Sequence, residues 1–395
     1  MKKYLEKERR MKKILFVSGP YVEQKSPNGI CLKNIIEDMK YLVHCDVMSM
    51  EEKNVDSLFK DVYPLKIERN NFISSIMNYP VRNRKGAEYF YNKLRKRHER
   101  EKYDIIIAVT NPTETVYVVS KLKKELNNFI FFIYEIDSAS NRYKLPKKFL
   151  EKYLMYRAMN WECNMYTVAD KIIHMKTHKE HYMKKTFEEF CYKEEYLDIP
   201  SLIINSLERT FQEKRGHKFL YAGQFYPILR NPEYMLRCMC EYFKKNSFQQ
   251  EMTIYSSTMK EKVKKIIFNC ESIVYKESIS QEKLNIEMEK YDVLISIGNF
   301  NSDFLPSKIF SYIATNKKII HFYSDNSDVA ISYLLKYENC LLIKENDDIK
   351  NVVIKIENFL NKESIFYSKE KLKKLYIENT PEYTSKKILE WIDTK

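Results

Sequence analysis

Short apolar segments rich in β-branched residues recur along this chain, and longer amphipathic segments separate them. Such runs, without polar alternation, are typical of strands buried on both faces of a parallel sheet. Parallel strands need a crossover between them, usually a helix. The alternation therefore predicts an α/β chain with doubly wound sheets. The predicted strands are 13–18, 44–50, 103–109, 129–134, 171–174 and 201–205, then 218–222, 251–256, 272–276, 291–297 and 340–343.

A polar segment at 206–217 interrupts the alternation. A chain of 395 residues is long enough for two domains, each with a core of its own. We therefore predict an N-terminal Rossmann-like domain over 1–205 and a C-terminal one over 206–380. An amphipathic helix over 381–395 is expected to pack back on the N-terminal domain.

No apolar run reaches the roughly 18 residues that a membrane-spanning helix needs. The first residues, MKKYLEKERRMKK, lack the apolar core of a signal peptide. The eight cysteines are scattered and form no CxxC pair, which favours reduced thiols over a disulfide framework or a zinc site. We expect a cytoplasmic protein.

The net charge of +14 is concentrated in two segments, 1–13 and 82–102. The second of them carries nine Lys or Arg against three Glu. Within it Ala87, Phe90, Tyr91 and Leu94 fall on one face of a predicted helix. A basic amphipathic helix suits peripheral contact with the anionic inner face of a membrane. It equally suits an ordinary helix docked through its apolar face, and the sequence leaves both open. No nucleic-acid-binding motif accompanies the charge.

The chain has only six glycines, and most of them stand at predicted strand ends or helix starts. Gly19, Gly223 and Gly298 each follow an apolar strand, and Gly29 opens a helix. Ligands of open α/β sheets bind beyond the carboxyl ends of strands, where the backbone approaches them closely. These glycines indicate ligand sites, although ordinary strand-to-helix turns use glycine too.

The stretch 291–325 is predicted as strand, loop, helix and strand. Pro306 suits the first helical position, which places Ser307 and Lys308 in the first turn. A helix N-terminus favours an anion and disfavours a cation. Lys308 is therefore explained if a diphosphate binds in front of it.

The segments KFLYAGQFYPILRNPEYML (218–236) and LPSKIFSYIATNKKII (305–320) resemble the donor domain of GT-B nucleotide-sugar glycosyltransferases. Nearly the whole chain is similar to the bacterial group-one, family-four-like enzymes of capsule, exopolysaccharide and lipopolysaccharide synthesis. The resemblance implies two Rossmann-like domains facing a cleft. It also implies a hexosyltransferase that moves a sugar from a nucleotide-sugar donor to a saccharide or lipid-linked acceptor, with retention and without a metal or other cofactor.

The resemblance implies a set of donor-side residues. Arg230 and Lys308 would neutralise the diphosphate, and Asp303 would lie near the transferred sugar, so these three are candidate catalytic residues. Two positions depart from the family pattern: Ser311 stands where an acid commonly contacts the ribose, and Asn316 where a glycine is usual. The candidate donor-binding residues are Gly29, Gly223, Arg230, Lys276, Gly298, Ser307, Lys308 and Ser311.

Glu135, Asp137 and His174 are the candidate acceptor-side residues. Asp137 follows a strand end and is the candidate catalytic base for the acceptor hydroxyl, although an Asp there can simply cap a turn. His174, with His178 and His181, has neither the HExxH pattern nor the register of a zinc site, and we predict no metal.

Two other functions fit part of the sequence. A degenerate GT-B protein acting as a non-catalytic partner or binding subunit would explain Ser311 and Asn316. A nucleotide-sugar epimerase or dehydrogenase is disfavoured because no G-x-G-x-x-G follows the first strand.

Overall fold

The computed structural model describes residues 11–19, 27–50, 76–141, 149–204, 216–226, 228–246, 250–257, 261–300 and 303–394. These residues form two compact units. One comprises those up to 141, from 149 to 198 and from 384 onward, and the other comprises 199–383.

The first unit is built on six parallel strands in the order β2-β1-β3-β4-β5-β6. Five of them coincide with predicted strands, and four of those five consist mainly of buried apolar residues. The strands are β1 (Lys13–Ser18), β2 (His44–Ser49), β3 (Ile105–Thr110), β4 (Ile130–Glu135), β5 (Lys171–Met175) and β6 (Glu194–Leu197).

The prediction of a strand at 201–205 was wrong for its described residues, 201–204, and Asn205 lies outside them. Leu202 and Ile204 are buried in the core of the second unit as irregular backbone, with the Leu202 N–H bonded to the Asn379 carbonyl at 2.9 Å. An apolar run this short does not distinguish a strand from buried coil. The sixth strand is instead Glu194–Leu197 at the sheet edge.

Helices connect these strands in the doubly wound manner. Two 3-10 segments, Lys176–His178 and Lys185–Lys193, occupy most of the region between β5 and β6. In the described part of the chain, the α-helices between these strands are α1 (Pro27–Met39), α2 (Arg84–Glu101), α3 (Thr113–Leu126), α4 (Phe149–Tyr166) and α5 (Lys179–Tyr182).

The basic helix α2 docks through its apolar face. Ala87, Phe90, Tyr91 and Leu94 all belong to the core of the first unit. Arg97 is also buried and pairs with Asp46, with 3.2 Å between Nη2 and Oδ2. The apolar face of α2 is therefore docked on the core of the first unit, and contact of the basic residues of 82–102 with a membrane stays a prediction.

The second unit contains six parallel strands in the order β12-β11-β10-β7-β8-β9. The sheet grows outward in opposite directions from the neighbouring pair β7 and β10, so the strand order reverses between them. The strands are β7 (Lys218–Ala222), β8 (Glu251–Tyr255), β9 (Ile273–Lys276), β10 (Val293–Ile297), β11 (Lys318–Tyr323) and β12 (Cys340–Lys344).

The helix after β10 begins later than predicted. Lys308 is its first residue, Ser307 is its N-cap, and Pro306 precedes the cap. Because this helix, α9, has only six residues, its dipole contributes less than the sequence argument assumed. The others are α6 (Glu233–Lys245), α7 (Glu261–Phe268), α8 (Gln281–Met288), α9 (Lys308–Ile313), α10 (Ala330–Leu334), α11 (Ile349–Asn361), α12 (Lys369–Leu375) and α13 (Pro381–Asp393).

The last helix, α13, joins the first unit from Thr384 onward. The Lys12 ammonium donates to the Ile392 carbonyl at 2.9 Å, and the Lys171 ammonium lies 5.1 Å from the centroid of the Trp391 ring. All eight cysteines are free thiols. Among the described residues, no helix combines the length and the apolar character needed to cross a membrane.

Candidate functional site

The reversal of strand order in the second sheet brings two of the predicted glycines to neighbouring strand ends. β7 and β10 are paired in parallel, with Leu220 opposite Leu294 and Tyr221 opposite Ile295. Gly223 follows β7 directly, and Gly298 follows β10 directly. A reversal point of this kind opens a crevice beyond the carboxyl ends of the strands, where doubly wound folds bind their ligands.

The two positions require glycine for different reasons. A Cβ on Gly298 would lie 1.6 Å from the Asp328 Oδ2 atom, and that carboxylate is buried against His321, with 3.1 Å between Oδ2 and Nε2. A Cβ on Gly223 would meet the Tyr221 side chain, with the hydroxyl oxygen at 2.9 Å and the ring carbon Cζ at 3.3 Å. Gly298 is therefore required by packing of the buried pair, whereas Gly223 is constrained only by the end of one side chain.

Arg230 is fixed beside the crevice by an asparagine that the sequence analysis did not single out. Its Nη2 and Nε atoms donate to the Asn299 Oδ1 atom at 2.7 and 3.2 Å. Asn299 is 5% exposed, and its own amide donates to the Phe304 carbonyl at 2.7 Å. The backbones of Tyr226 and Arg230 are also paired by two hydrogen bonds. The sequence signal that could have identified Asn299 is its position, because it is a polar residue directly after a glycine that ends a strand.

Lys308 lies at the same strand ends. Its Nζ atom donates to the Ala222 carbonyl oxygen at 3.1 Å, next to Gly223. Burial, together with repulsion from Arg230, lowers the pKa of Lys308 to about 8. Tyr312, one helical turn further on, accepts the Ala222 N–H at 3.2 Å and joins the helix to β7. Lys308 is therefore a partly desolvated cation held near a second one.

Neither Arg230 nor Lys308 forms an ion pair with any carboxylate in the described part of the chain. The partners that hold them are the neutral oxygens of Asn299 and Ala222. Two converging cations that repel each other and lack an acidic partner are stabilised by an anion. The arrangement can therefore bind a phosphate or diphosphate group.

The remaining donor-side candidates of the second unit do not all lie in the same part of the sheet. Asp303, Ser307 and Ser311 are half-buried, in the loop after β10 and along α9. Lys276 lies apart from them, exposed at the end of the edge strand β9, with its Nζ atom 5.7 Å from the centroid of the Tyr255 ring. The structure thus places Lys276 outside the β7–β10 crevice.

Asn316, the second departure from the family pattern, has a structural explanation. Its φ of 61° is in the left-handed region, where glycine is favoured and asparagine is the usual substitute. Its side chain exchanges two hydrogen bonds with the Tyr367 backbone. The missing glycine is thus compensated locally.

In the first unit, the candidates Glu135 and His174 form a buried pair. The Glu135 Oε2 atom accepts from the Tyr166 hydroxyl at 2.6 Å and lies 2.8 Å from the His174 Nδ1 atom. Burial alone would raise the pKa of Glu135, but the hydrogen bond and charge of His174 lower it. Burial alone would lower the pKa of His174, but its bonds to Glu135 and Glu194 raise it. With exposures of 1% and 0%, Glu135 and His174 are buried too deeply for direct contact with an acceptor in this conformation.

Asp137 is half-buried and lies where three segments meet. Its Oδ2 atom accepts from the Asn28 amide at 2.8 Å, and its N–H donates to the Thr110 hydroxyl at 3.3 Å. Gly29 follows Asn28 in the first turn of α1, so Gly29 belongs to the surroundings of Asp137 in the first unit. The carboxylate of Asp137 is thus oriented by a neutral donor.

A buried group that the sequence analysis missed fixes the loop after Asp137. The Glu162 Oε1 atom accepts from the N–H groups of Ala139 and Ser140 at 2.8 and 3.0 Å. The Ser140 hydroxyl contacts Glu162 Oε2 and lies 2.7 Å from His181 Nε2. Burial and the charge of Glu135 raise the pKa of Glu162 well above its usual range. Glu162 lies on the same helical face as the buried Ala158 and Met165, and this apolar spacing is the sequence signal that could have identified it as buried.

His181 completes this group in its neutral form. Burial and the nearby Lys184 ammonium lower the pKa of His181 to about 3. Because Lys184 donates to Nδ1 across 2.9 Å, Nε2 carries the hydrogen and donates to Ser140. The described residues hold no grouping of three or more His, Cys, Asp or Glu side chains able to bind a metal ion.

The sequence matches no protein-family model and no curated protein. Solved structures are similar to it over nearly their full length. They include the lipopolysaccharide outer core galactosyltransferase WaaB in its apo form (TM-score 0.57, 13% identity, 97% of this chain and 99% of that one). A glycosyltransferase from Rickettsia africae ESF-5 gives a TM-score of 0.56 at 14% identity, and the match covers 96% of this chain and 97% of that one. A UDP-GlcNAc 2-epimerase from Methanocaldococcus jannaschii gives a TM-score of 0.57 at 10% identity, and the match covers 97% of this chain and 100% of that one.

At these identities the likeness shows the fold. The chain has the GT-B fold, and the prediction of two Rossmann-like, doubly wound sheets is confirmed.

Proposed function

We propose that this protein is a glycosyltransferase that moves a hexose from a nucleotide-sugar donor to a saccharide or lipid-linked acceptor in cell-surface polysaccharide synthesis. The observation that carries the proposal is the pair of unneutralised cations, Arg230 and Lys308, at the reversal point of the second sheet. The GT-B fold shared with WaaB and the Rickettsia glycosyltransferase supports it. We place the reaction in the cytoplasm, at the inner face of the membrane.

The cations account for the donor half of the reaction. The bond between the anomeric carbon and the β-phosphate oxygen breaks, and the nucleoside diphosphate leaves with the electron pair. Arg230 and Lys308 stabilise the negative charge that grows on this leaving group, and because they are fixed beforehand they need no reorganisation. Two fixed cations can supply the charge that a metal ion supplies elsewhere, which is the basis for proposing a metal-independent enzyme.

Asp137 accounts for the acceptor half. The acceptor hydroxyl oxygen forms the new bond to the anomeric carbon, and its proton passes to the Asp137 carboxylate. Asn28 orients that carboxylate, and the group around Glu162 fixes the loop that follows it. We propose that Asp303 lies beside the transferred sugar and that the sugar is transferred with retention, with the acceptor oxygen forming its bond on the face of the sugar ring that the diphosphate leaves.

The proposal is tested by thermal-shift measurements with UDP- and GDP-sugars, followed by assays of nucleoside diphosphate release with and without saccharide acceptors. Saturable stabilisation by one donor, with release that an acceptor accelerates, is the expected result. No stabilisation by any nucleotide sugar, in a protein whose circular dichroism spectrum shows an intact fold, would rule the proposal out.

Two outcomes would point to another function. Stabilisation without turnover would favour the non-catalytic binding subunit, which the uncharged Ser311 at the expected ribose contact also favours. Conversion of the donor sugar into its epimer without diphosphate release would favour a reaction like that of the Methanocaldococcus jannaschii epimerase.

A further inference from the structure

Two cysteine side chains of the second unit contact each other although they come from separate elements. Cys240 lies in helix α6, and Cys270 lies in the short segment between helix α7 and strand β9. Their thiols are joined by a hydrogen bond. Both cysteines are free, both belong to the apolar core of this unit, and their exposures are 9% and 7%. The fold therefore brings two reduced sulfur atoms into direct contact.

Backbone hydrogen bonds fix the position of each cysteine. The Cys270 N–H donates to the Ile267 carbonyl at 2.9 Å, and the Ile273 N–H donates to the Cys270 carbonyl at 3.0 Å. Cys240 is inside the regular 13-residue helix α6. Because a cysteine side chain has only one heavy-atom torsion angle, the two backbones and one rotamer at each cysteine are enough to place the sulfurs.

The surroundings make the two sulfurs chemically unequal. The Cys240 thiol donates its hydrogen bond to the Cys270 sulfur, and this bond lowers the pKa of Cys270 to about 7 while it raises the pKa of Cys240. Burial opposes the change in the pKa of Cys270, whereas the Ser272 N–H and the Lys244 ammonium reinforce it. The thiolate is the reactive form of a cysteine, so Cys270 is the nucleophile of the pair.

Cys238 has different surroundings on the same helix. It is fully buried, and its side chain is hydrogen-bonded to Tyr234. Burial raises the pKa of Cys238 to about 12, so its thiol stays protonated near neutral pH and reacts poorly with oxidants. Cys238 is therefore a matched control for Cys240, which lies two residues further along α6.

We propose that Cys240 and Cys270 form a redox-sensitive pair, which a peroxide oxidises to a disulfide. The Cys270 thiolate attacks one oxygen of hydrogen peroxide, the O–O bond breaks, and hydroxide leaves and takes up the proton that Cys270 released. Cys270 is then a sulfenic acid. The Cys240 sulfur attacks the sulfur of this acid, the S–O bond breaks, and the hydroxyl leaves as water with the Cys240 proton. Two thiols are oxidised, and one peroxide is reduced to two waters.

The position of the two sulfurs suits this bond. An S–S bond is about 2 Å long, so two sulfurs in hydrogen-bonding contact need only a small shift to form it. The bond links α6, which begins three residues after Arg230, to the segment before β9. It thus lies on the helix that follows the proposed phosphate-binding arginine. In reducing compartments such disulfides are mostly transient and redox-sensing, which fits a pair that is reduced in this structure.

Mass spectrometry of the full chain tests the proposal without donor or acceptor, so its result is independent of the proposed reaction. The reduced protein is treated with hydrogen peroxide, its remaining thiols are blocked with iodoacetamide in urea, and it is digested with trypsin without reduction. Cleavage after Arg237, Lys244, Lys265 and Lys276 gives the peptides 238–244 and 266–276. We expect the two peptides to be joined after peroxide treatment and separate again after dithiothreitol. Absence of the joined peptides from the peroxide-treated wild type would overturn the proposal.

Serine variants assign the disulfide to one pair of sulfurs. The peptide 238–244 also contains Cys238, and the control Cys238→Ser should form the disulfide as the wild type does. Cys240→Ser and Cys270→Ser should each abolish it. A disulfide that persists in Cys240→Ser and is lost in Cys238→Ser would overturn the pairing.

Dimedone, which labels sulfenic acids, tests which sulfur attacks the peroxide. In Cys240→Ser the sulfenic acid of Cys270 cannot pass on to the disulfide, and the serine hydroxyl can still donate to the Cys270 sulfur, so Cys270 should be labelled. In Cys270→Ser we expect about tenfold less label on Cys240, because the bond that lowers the pKa of Cys270 leaves Cys240 protonated. Equal labelling in the two variants, both with the circular dichroism spectrum of the wild type, would overturn the assignment of Cys270 as the nucleophile.

Discussion

The Lys308 ammonium lies 3.1 Å from the Ala222 carbonyl oxygen, and this contact fixes a cation at the carboxyl end of the strand where the second sheet reverses its order. The carbonyl is a neutral partner, so the contact orients the ammonium without neutralising it. Arg230 is fixed in the same manner by Asn299. Both cations are therefore positioned before any anion arrives, which is the property that binding and stabilisation of a diphosphate require.

The lowered pKa of Lys308 predicts a pH dependence of nucleotide binding. Burial and Arg230 hold this pKa at about 8 in the free protein, and a bound diphosphate favours the charged form. The affinity for UDP or GDP should therefore fall as pH rises through about 8, with a slope approaching about tenfold per pH unit. Calorimetric titration at several pH values measures this. Equal affinity at about pH 7 and about pH 9 would contradict it.

The two crevice glycines should respond differently to alanine. Gly298→Ala places a methyl group on the Asp328 carboxylate and disrupts the buried pair with His321, so we expect a loss of about 3 kcal/mol or more in the free energy of unfolding. Gly223→Ala places a methyl group against the end of the Tyr221 side chain, which can shift, and should cost about 1 kcal/mol.

Urea unfolding of both variants tests the difference between the glycines. Tyr221→Phe removes the hydroxyl that a Cβ at position 223 meets, so it should restore part of the stability lost in Gly223→Ala. Tyr221→Phe should not restore stability to Gly298→Ala. Equal losses in the two single variants would refute the packing argument.

The strands were predictable where burial on both faces imposes a continuous apolar sequence, as at Lys13–Ser18 and Val293–Ile297. The prediction failed at the boundary between the units. The apolar run at 201–204 is buried as coil, and the edge strand Glu194–Leu197 begins with two glutamates. Local pattern reports that a segment is buried, but not which backbone conformation it adopts there.

The site was predictable to the extent that it depends on strand ends. Gly223 and Gly298 were identified because each follows a strand, and the sheet order then made them neighbours. Asn299 was missed because its role depends on Arg230, 69 residues away. Glu162 was missed for the same reason, since its partners come from the loop after β4. Tertiary partners of this kind leave no local periodicity in the sequence.

Glu162→Gln should change how stability depends on pH. The pKa of Glu162 is raised above 4.5 in the folded protein, so above that pH the unfolded chain binds fewer protons than the folded one. This carboxyl therefore contributes most to stability below pH 4.5, and that contribution is lost as pH rises through the raised pKa, by up to about 1.4 kcal/mol per pH unit. Glutamine does not titrate, so the variant lacks this pH-dependent contribution to the free energy of unfolding.

Urea unfolding of the wild type and Glu162→Gln at several pH values checks this prediction. The free energy of unfolding of the variant, relative to the wild type, should increase as pH rises from about 5 to about 7. A difference that does not change with pH would show that Glu162 is ionised in the folded protein.

Asp137→Asn should separate binding from turnover. The variant keeps an oxygen that can accept from Asn28, so the local structure should persist. It cannot take a proton from an acceptor hydroxyl, and we expect turnover to fall by about 100-fold or more. Donor affinity should be unchanged, because Asp137 and the Arg230–Lys308 pair belong to different units. Turnover equal to that of the wild type would remove Asp137 from the mechanism.

The diphosphate site is tested most directly by calorimetric titration of UDP and GDP into the wild type and Lys308→Met at about pH 7. Lys283→Met removes an exposed lysine of the same unit and serves as the control. We expect the wild type and the control to bind one of the two nucleotides equally well. Lys308→Met should bind it about tenfold to 100-fold more weakly, because a charge-assisted contact is lost. Equal affinity in all three proteins would contradict a diphosphate site at Lys308.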